Sequence, residues 1–344
     1  GKGIDVKGFE STGAVWLDPI LAIASQFVST LSSAGFIILV LGGYTAYMSY
    51  IKANDVTVSV LTKPLQGIKS AYILVPIVFL LGNLLSLVIP SASNLAIILL
   101  ATLYPVLRQA GMSTLTAAAV IATTATVMPT PMGADNVAIA NELATYAEFD
   151  GLTVAEYVFK YHAPVSIPTL LIMAVAHYFW QKFMDKKSGP SEQDTHAEIQ
   201  DVQLEKVGKL FTVVYAILPV LPILLLIGAF LIQSFSDTKI NIGVEVATLF
   251  SFAVAILCEL IRKRKAKEVL DGTENFFKGM GNAMPVVVLL VAASVFVTGL
   301  KSIGLISTLE ETMTGIRGSG LGFILPLILV GLTALIVLLS GSGT

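Results

Sequence analysis

Long apolar runs alternate with short polar segments along most of this chain. The clearest runs occupy residues 35–50, 157–183, 210–232, 244–261 and 283–300. Apolar runs that approach or exceed about 18 residues are long enough to cross a bilayer as helices. The pattern therefore predicts an all-α polytopic membrane protein.

Two further apolar segments are interrupted by polar and proline-rich sequence. Residues 70–107 are interrupted at residues 90–94, and residues 114–146 are interrupted at residues 129–135. The part of the first segment after its interruption is only about 20 Å long at 1.5 Å per residue, less than a ~30 Å hydrocarbon core. We therefore predict a re-entrant hairpin at residues 70–107 and a broken transmembrane helix at residues 114–146.

These interruptions indicate what the protein does. Backbone groups without hydrogen-bond partners are costly in lipid, so non-helical backbone at membrane depth persists only when it packs in protein or lines a wet cavity. Interrupted helices rich in Ser, Thr, Asn and Asp are typical of the binding sites of secondary transporters. The pattern predicts such a transporter.

Composition supports this class. Hydrophobic residues make up 55% of the chain, charged residues only 13%, and the mean hydropathy is +0.83, whereas soluble domains carry about 25% charged residues. The single Cys258 excludes an internal disulfide framework and is read as a small core residue. The sequence has no phosphate-binding loop, no metal-ligand spacing, no nucleophile–base pair and no basic tract with interleaved aromatic residues that would indicate nucleic-acid binding. We therefore expect no enzyme activity and no organic cofactor.

Basic residues indicate the topology. If residues 51–69 form a cytoplasmic polar connection and the spans alternate, fifteen of the 21 Lys and Arg residues lie inside, including the run at residues 262–267. With an offset of 250 residues, residues 38–50 and 75–94 align with residues 288–300 and 325–344, which predicts a repeat of inverted orientation. The predicted regions are a polar and interfacial segment (1–34), a first repeat (35–184), a hydrophilic linker (185–209), and two spans with the start of a second repeat (210–344).

The predicted hairpin tip is the first candidate site. A helix that begins there presents free backbone N–H groups and a positive dipole end, which together bind a carboxylate without a buried Lys or Arg. The hydroxyls of Ser91 and Ser93 and the amide of Asn94 can orient such a group. The alternative is that these residues only cap the helix.

The broken helix is the second candidate site. It contains Thr130, carbonyl groups next to Pro129 and Pro131, and Asp135. An ionisable residue in a membrane segment is a functional-site hypothesis by default. We expect Asp135 to hold Na⁺, to carry a proton or to cap the following helix, and an ordinary exposed loop is the alternative. His177 lies in a span, where proton relay competes with a packing role.

Three runs of sequence resemble the anaerobic C4-dicarboxylate carriers of the DcuC type. They are Ala53-Asn54-Asp55 with Lys63-Pro64-Leu65-Gln66, Leu100-Ala101-Thr102-Leu103-Tyr104-Pro105-Val106, and Ala176-His177-Tyr178-Phe179-Trp180-Gln181. The resemblance extends over residues 35–344. It implies a multi-pass carrier of the bacterial inner membrane that exchanges, exports or takes up dianions such as fumarate and succinate.

The resemblance also implies a set of site residues. The wider superfamily encloses substrate and coupling ion between two hairpin tips and two broken helices. In this sequence the matching positions for substrate are Ser91, Ser93, Asn94, Thr130, Asn136, Ser342 and Thr344, and those for the coupling ion are Asp135, Asn94 and Thr130.

Two departures from the family pattern affect these assignments. The first tip lacks a contiguous Ser-Asn-Thr because Leu95 follows Asn94, which leaves Na⁺ and H⁺ both open as coupling ion. The second broken helix would follow Thr344, so we expect a fragment that lacks both ends.

The expected partners are a small dicarboxylate and the lipid bilayer, with no nucleic acid, and we also consider a homodimer. The alternatives are a carrier for another small organic anion, such as a short-chain acid or an amino-acid-like substrate, and an intramembrane enzyme that uses Asp135. A passive membrane scaffold would leave both polar interruptions unexplained.

Overall fold

The computed structural model describes residues 12–14, 16–68, 70–89, 92–188, 208–235, 242–304, 308 and 324–340. Every regular element in these residues is helical. The α-helices are α1 Asp18–Thr30, α2 Phe36–Tyr50, α3 Ala53–Thr62, α4 Ala71–Ser86, α5 Ala92–Thr102, α6 Tyr104–Gln109, α7 Thr114–Ala122, α8 Ala134–Leu143, α9 Val154–Glu156, α10 Ala163–Ser188, α11 Lys209–Ile217, α12 Leu221–Phe235, α13 Val244–Lys263, α14 Ala266–Gly272, α15 Glu274–Ser302 and α16 Ile324–Ser340. Short π-helical or 3₁₀ segments adjoin several of them, at Leu31–Gly35, Lys63–Gly67, Ala147–Phe149, Tyr157–His162 and Leu218–Val220.

Within the described residues, five continuous helical segments are long and apolar enough to cross a membrane. They are Asp18–Tyr50, Val154–Lys187, Lys209–Gln233, Val244–Lys263 and Ala266–Leu300. The predicted all-α polytopic membrane protein is therefore confirmed. The inverted repeat and the re-entrant hairpin stay predictions.

The chain divides into two compact units. The larger unit is Ser33–Met284, and the smaller unit combines Gly1–Ser32 with Pro285–Thr344. The described side chains of the candidate site all belong to the larger unit.

The core of the larger unit is formed by apolar side chains from α3 to α7. Ile89 and Leu95, which flank the predicted hairpin tip, are both fully buried in this core. At 1.5 Å per residue, α4 is about 24 Å long and α5 about 16 Å, so neither reaches across a ~30 Å hydrocarbon core. The described residues on either side of the predicted tip are thus packed in protein, the condition under which non-helical backbone persists at membrane depth.

The structure differs from the prediction in the segment at residues 51–69. This segment is not a polar connection, because most of it forms α3, which packs against α11 and α5. Asn54 is buried and donates a 2.8 Å hydrogen bond to the Ser49 hydroxyl, while the Thr57 hydroxyl lies 3.1 Å from the Ala216 carbonyl. Because Asn54 and Thr57 both have hydrogen-bond partners, α3 can bury these two polar side chains.

Other boundaries also differ. The arm that follows the predicted hairpin tip is divided into α5 and α6, because a new helix begins at Tyr104 with Pro105 in its first turn. The break between α7 and α8 spans residues 123–133, which is wider than the predicted interruption at 129–135. The helix α15 begins at Glu274, earlier than the predicted residue 283.

Small residues allow α2 and α15 to approach closely inside the larger unit. A Cβ atom built on Gly279 would lie 2.5 Å from both the Ala46 Cβ and the Gly42 carbonyl oxygen. A Cβ atom on Gly42 would lie 2.6 Å from the Ala283 Cβ. Association of helices in lipid depends on close packing, and small residues are its usual means.

This crossing predicts opposite effects for two glycines of α15. We expect Gly279→Ala to destabilise the protein, since overpacking typically costs about 1–3 kcal/mol. Gly281→Ala is the matched control, because no atom lies within 4 Å of the added Cβ and alanine has the higher helix propensity. Thermal unfolding in detergent micelles measures both variants. Equal melting temperatures for the two variants would contradict the close crossing.

Candidate functional site

The break between α7 and α8 is a folded loop. The helix α7 ends at Ala122, and within residues 123–133 Pro129 and Pro131 have no backbone N–H with which a helix could resume before α8. A 2.8 Å hydrogen bond from the Thr130 amide to the Met128 carbonyl tightens the turn around the first proline. The chain therefore has a defined conformation between the end of α7 and the start of α8.

A side chain from α4 holds the first part of this loop. The Asn83 amide nitrogen donates to the Thr123 carbonyl oxygen at 3.3 Å, and its oxygen accepts from the backbone amides of Thr126 and Val127 at 3.2 and 3.4 Å. Asn83 is only 2% exposed. One side chain thus satisfies three backbone groups that lost their helical partners at the break.

The loop in turn satisfies the end of α4. The Thr130 hydroxyl donates to the Leu87 carbonyl oxygen at 2.8 Å, just past the last residue of that helix. The same hydroxyl accepts from the Met132 amide at 3.2 Å. Asn83 and Thr130 therefore form a reciprocal brace, in which each interrupted segment supplies the hydrogen-bond partners that the other lacks.

Asn136 closes the loop from the side of α8. Its buried amide nitrogen donates to the carbonyl oxygens of Met128 and Thr130, at 2.7 and 2.9 Å. The sequence predicted Thr130 and Asn136 as substrate-binding residues. The structure brings them together at the break, where the polar side-chain contacts that it describes for both are with neighbouring backbone.

Asp135 is exposed and lies in the first turn of α8. Its Oδ1 atom is 2.6 Å from the point where a Cβ of Gly133 would lie, so the carboxylate folds back over this glycine. Tyr157 and His162, in the helical segment that leads into α10, lie within electrostatic range of Asp135. The carboxylate at the start of α8 also interacts favourably with the helix dipole.

The structure describes only some of the residues predicted at the two hairpin tips. Ser93 and Asn94 lie in the first turn of α5, which begins earlier than the predicted tip allowed. Ser91, Ser342 and Thr344 lie outside the described residues.

A cavity of about 470 Å³ adjoins the brace. Asn83 and Thr130 are its polar lining side chains, and both already make hydrogen bonds. The remaining lining residues are Leu80, Leu84, Leu87, Pro129, Pro131, Phe159, Ala163, Ile167, Leu170, Leu171, Ile223, Ile227 and Phe230. An uncharged lining of this kind does not by itself compensate the two negative charges of a dianion.

The available donor atoms limit the chemistry of the site. Carbonyl, amide and carboxylate oxygens, such as those around the break, suit hard cations or protons and not transition metals. Among the residues that the structure describes, no group of three or more His, Cys, Asp and Glu side chains could hold a metal ion.

Sequence reasoning missed Asn83. The signal was an amide residue next to Gly82 in the middle of an apolar arm. Gly82 permits a very close approach, since a Cβ there would lie 2.2 Å from the Thr124 Cβ. Which residues Asn83 would contact could not be predicted, because its partners are about forty residues away in sequence.

Comparison with known proteins gives the same class as the sequence. Residues 3–344 match the family DcuC, described as the C4-dicarboxylate anaerobic carrier. The chain is 35% identical over 336 residues to a probable anaerobic C4-dicarboxylate transporter DcuC of Vibrio cholerae. This alignment covers 97% of this chain and 69% of that protein. It is 34% identical to the anaerobic C4-dicarboxylate transporter DcuC of Escherichia coli K12, over 97% of this chain and 68% of that protein. No solved structure matches the chain.

These relatives are transporters and not enzymes, as the sequence predicted, and several membrane-spanning helices fit a multi-pass protein of the bacterial inner membrane. The match over residues 3–344, together with these identities, shows that the chain belongs to the DcuC family of anaerobic C4-dicarboxylate carriers.

Proposed function

We propose that this protein is a secondary transporter that exchanges, exports or takes up C4-dicarboxylates such as fumarate and succinate. The observation that carries the proposal is the reciprocal brace. Asn83 and Thr130 stabilise two interruptions of apolar helices beside a cavity. A structural bundle has no need of such interruptions, whereas a transporter uses helix ends to bind a substrate at membrane depth.

We propose that the first turn of α5 binds one carboxylate of the substrate. Ser93 and Asn94 lie in this turn, where backbone N–H groups without helical partners and the helix dipole favour an anion. Ser91, Ser342 and Thr344 lie outside the described residues and stay sequence predictions. Such a site compensates the carboxylate through several dipoles, so no Lys or Arg is needed in it.

We propose that Thr130 and Asn136 contribute to substrate binding by holding the break between α7 and α8 in a fixed conformation. Their hydrogen bonds hold the carbonyl groups of the loop in one arrangement. A preorganised site avoids the cost of ordering these groups when the substrate binds.

We propose that the coupling cation, Na⁺ or H⁺, binds near Asp135 with oxygens of Thr130 and Asn94. The exposed carboxylate at the start of α8 is accessible to solvent ions, and the loop beside it supplies carbonyl oxygens. Gly133 leaves room for the carboxylate to fold over the loop. We also propose that the protein acts as a homodimer.

The brace gives the first test of this proposal. Asn83→Leu should reduce exchange of labelled fumarate in proteoliposomes by about tenfold or more, because buried backbone groups left without partners cost about 1–3 kcal/mol each. Ser86→Ala is the matched control on α4, since the hydroxyl of Ser86 is buried and, in the described part of the chain, donates to the Asn83 carbonyl of its own helix. Exchange as fast in Asn83→Leu as in the control would show that the brace has no part in transport.

The hairpin tip gives the second test. Ser93→Ala and Asn94→Ala should each weaken dicarboxylate binding about tenfold to a hundredfold, since a hydrogen bond to a charged group contributes roughly 1.5–3 kcal/mol. Thr102→Val is the control, because the Thr102 hydroxyl bonds to the Ile98 carbonyl within α5. Wild-type affinity in both alanine variants would leave these residues as simple helix caps.

Asp135→Asn gives the third test and separates ion binding from capping. Asn and Asp are similar helix caps, whereas a cation site loses a full charge in the exchange. We expect gradient-driven uptake to be lost and fumarate counterflow to continue in the same vesicles. Glu142→Gln removes the same charge from an exposed position of α8 and should leave both activities unchanged. Full gradient-driven uptake in Asp135→Asn would exclude Asp135 from coupling.

A further inference from the structure

A histidine inside the span Val154–Lys187 belongs to a hydrogen-bonded network that the proposed site does not use. The Nε2 atom of His177 lies 3.0 Å from the Thr123 hydroxyl, and its Nδ1 atom lies 3.2 Å from the amide nitrogen of Gln181. The imidazole also packs against the Phe79 ring, with 5.5 Å between the ring centroids and their planes nearly perpendicular. Both ring nitrogens therefore have a partner.

The partners determine which nitrogen carries the hydrogen. The amide nitrogen of Gln181 can only donate, so Nδ1 of His177 accepts and Nε2 carries the hydrogen. This hydrogen points to the Thr123 oxygen, whose own hydrogen goes to the Val120 carbonyl at 2.9 Å. The network is thus complete when His177 is neutral.

The same network reaches the break. Thr123 accepts the hydrogen bond of Asn83 through its carbonyl oxygen, and Asn83 holds the amides of Thr126 and Val127 and lines the cavity. A change at His177 can therefore move the end of α7, and with it the brace. Discrete hydrogen-bond arrangements of this kind are a physical means of coupling two sites.

The elements packed against His177 supply no nearby countercharge in the described part of the chain. Tyr72 is the one titratable residue of α4, and α7 contains none. Asp185 lies eight residues further along α10, about 12 Å along the axis, and accepts hydrogen bonds from Ser113 and Thr116. A positive charge on His177 would therefore be favoured chiefly by an anion that enters from outside the network.

We propose that His177 binds a proton that accompanies the dicarboxylate, and that it acts as a positioning residue for the break through Thr123 and Asn83. The proton adds to Nδ1, and the Gln181 amide turns so that its oxygen accepts the new N–H. The resulting imidazolium attracts the dianion, and by linkage the bound dianion favours the proton to the same extent. This inference rests on the proposed dicarboxylate transport.

The pH dependence of fumarate binding tests the proposal. Both carboxylates of fumarate stay ionised between pH 6 and pH 8, the range in which histidine ordinarily changes charge. In counterflow by the full-length wild type, the apparent affinity should be at least about fivefold tighter at pH 6 than at pH 8, the lower limit of typical coupling between sites. His177→Asn should show less than about a twofold change, because its side chain stays neutral. His196→Asn, in the hydrophilic linker, is the matched control and should keep the wild-type change.

A second variant tests the route to the break. Thr123→Val keeps His177 and the size of the side chain but removes the hydroxyl that contacts the imidazole. We expect it to lose most of the pH dependence of affinity. A full wild-type dependence in Thr123→Val would contradict transmission through Thr123.

A direct titration keeps the proposal testable even if His177→Asn fails to insert. In a His162→Asn, His196→Asn double variant labelled with ¹⁵N-histidine, His177 is the only histidine left within the 344 residues of this sequence. Its NMR signals should titrate, and the midpoint should move to higher pH when fumarate is added. A midpoint that fumarate does not change would overturn the proposal.

The outcomes separate the two proposals. No fumarate counterflow in the unsubstituted protein would contradict dicarboxylate transport itself. Counterflow with the same pH dependence in wild type and His177→Asn would contradict only the role of His177.

Discussion

The structure around the site depends on how backbone groups are satisfied where apolar helices stop. In lipid no water replaces a lost helical hydrogen bond, so each interruption must obtain its partners from protein. Asn83 supplies them to the end of α7, and Thr130 supplies one to the end of α4. Because each segment completes the other, neither interruption can move without breaking bonds in both. A substrate-dependent movement of one helix end would therefore be transmitted directly to the other.

The sequence predicted a break between two helices at residues 114–146, which the structure has between α7 and α8, but it did not predict the interactions that stabilise this break. Proline pairs and small polar residues identify a break locally, which is why the broken helix could be found. Asn83 binds residues about forty positions away, and no periodic pattern contains that information. The same limit explains the error at α3. The sequence predicted a polar connection at residues 51–69, but the polar side chains of Asn54 and Thr57 have partners in Ser49 and the Ala216 carbonyl, so most of this segment packs as a helix.

Close helix packing explains why the larger unit keeps its arrangement without a strong hydrophobic force. Lipid chains are as apolar as leucine, so burial of apolar side chains favours association less than it does in water. Gly42 and Gly279 bring α2 and α15 together, and Gly82 brings α4 against Thr124. The last contact lies next to Asn83, whose 3.3 Å bond to the Thr123 carbonyl needs this short separation. The polar brace thus depends on a neighbouring glycine as much as on its own amide.

The larger unit has a polar cluster around Glu259 and another around His177, and the two differ in how they compensate a charge. This difference favours His177 as the residue that responds to a proton. Glu259, in the last turns of α13, is 1% exposed and is paired with Arg262 at 3.0 Å and Lys263 at 3.5 Å, and it accepts a hydrogen bond from Tyr215. Protonating that carboxylate would break its ion pairs with the partly exposed side chains of Arg262 and Lys263, which costs stability because the carboxyl group itself is buried. His177 has only neutral hydrogen-bond partners in the described structure, so it can gain a charge without breaking an ion pair. A group that changes charge during transport must be stable in both states, and the arrangement around His177 meets that condition once an anion is bound.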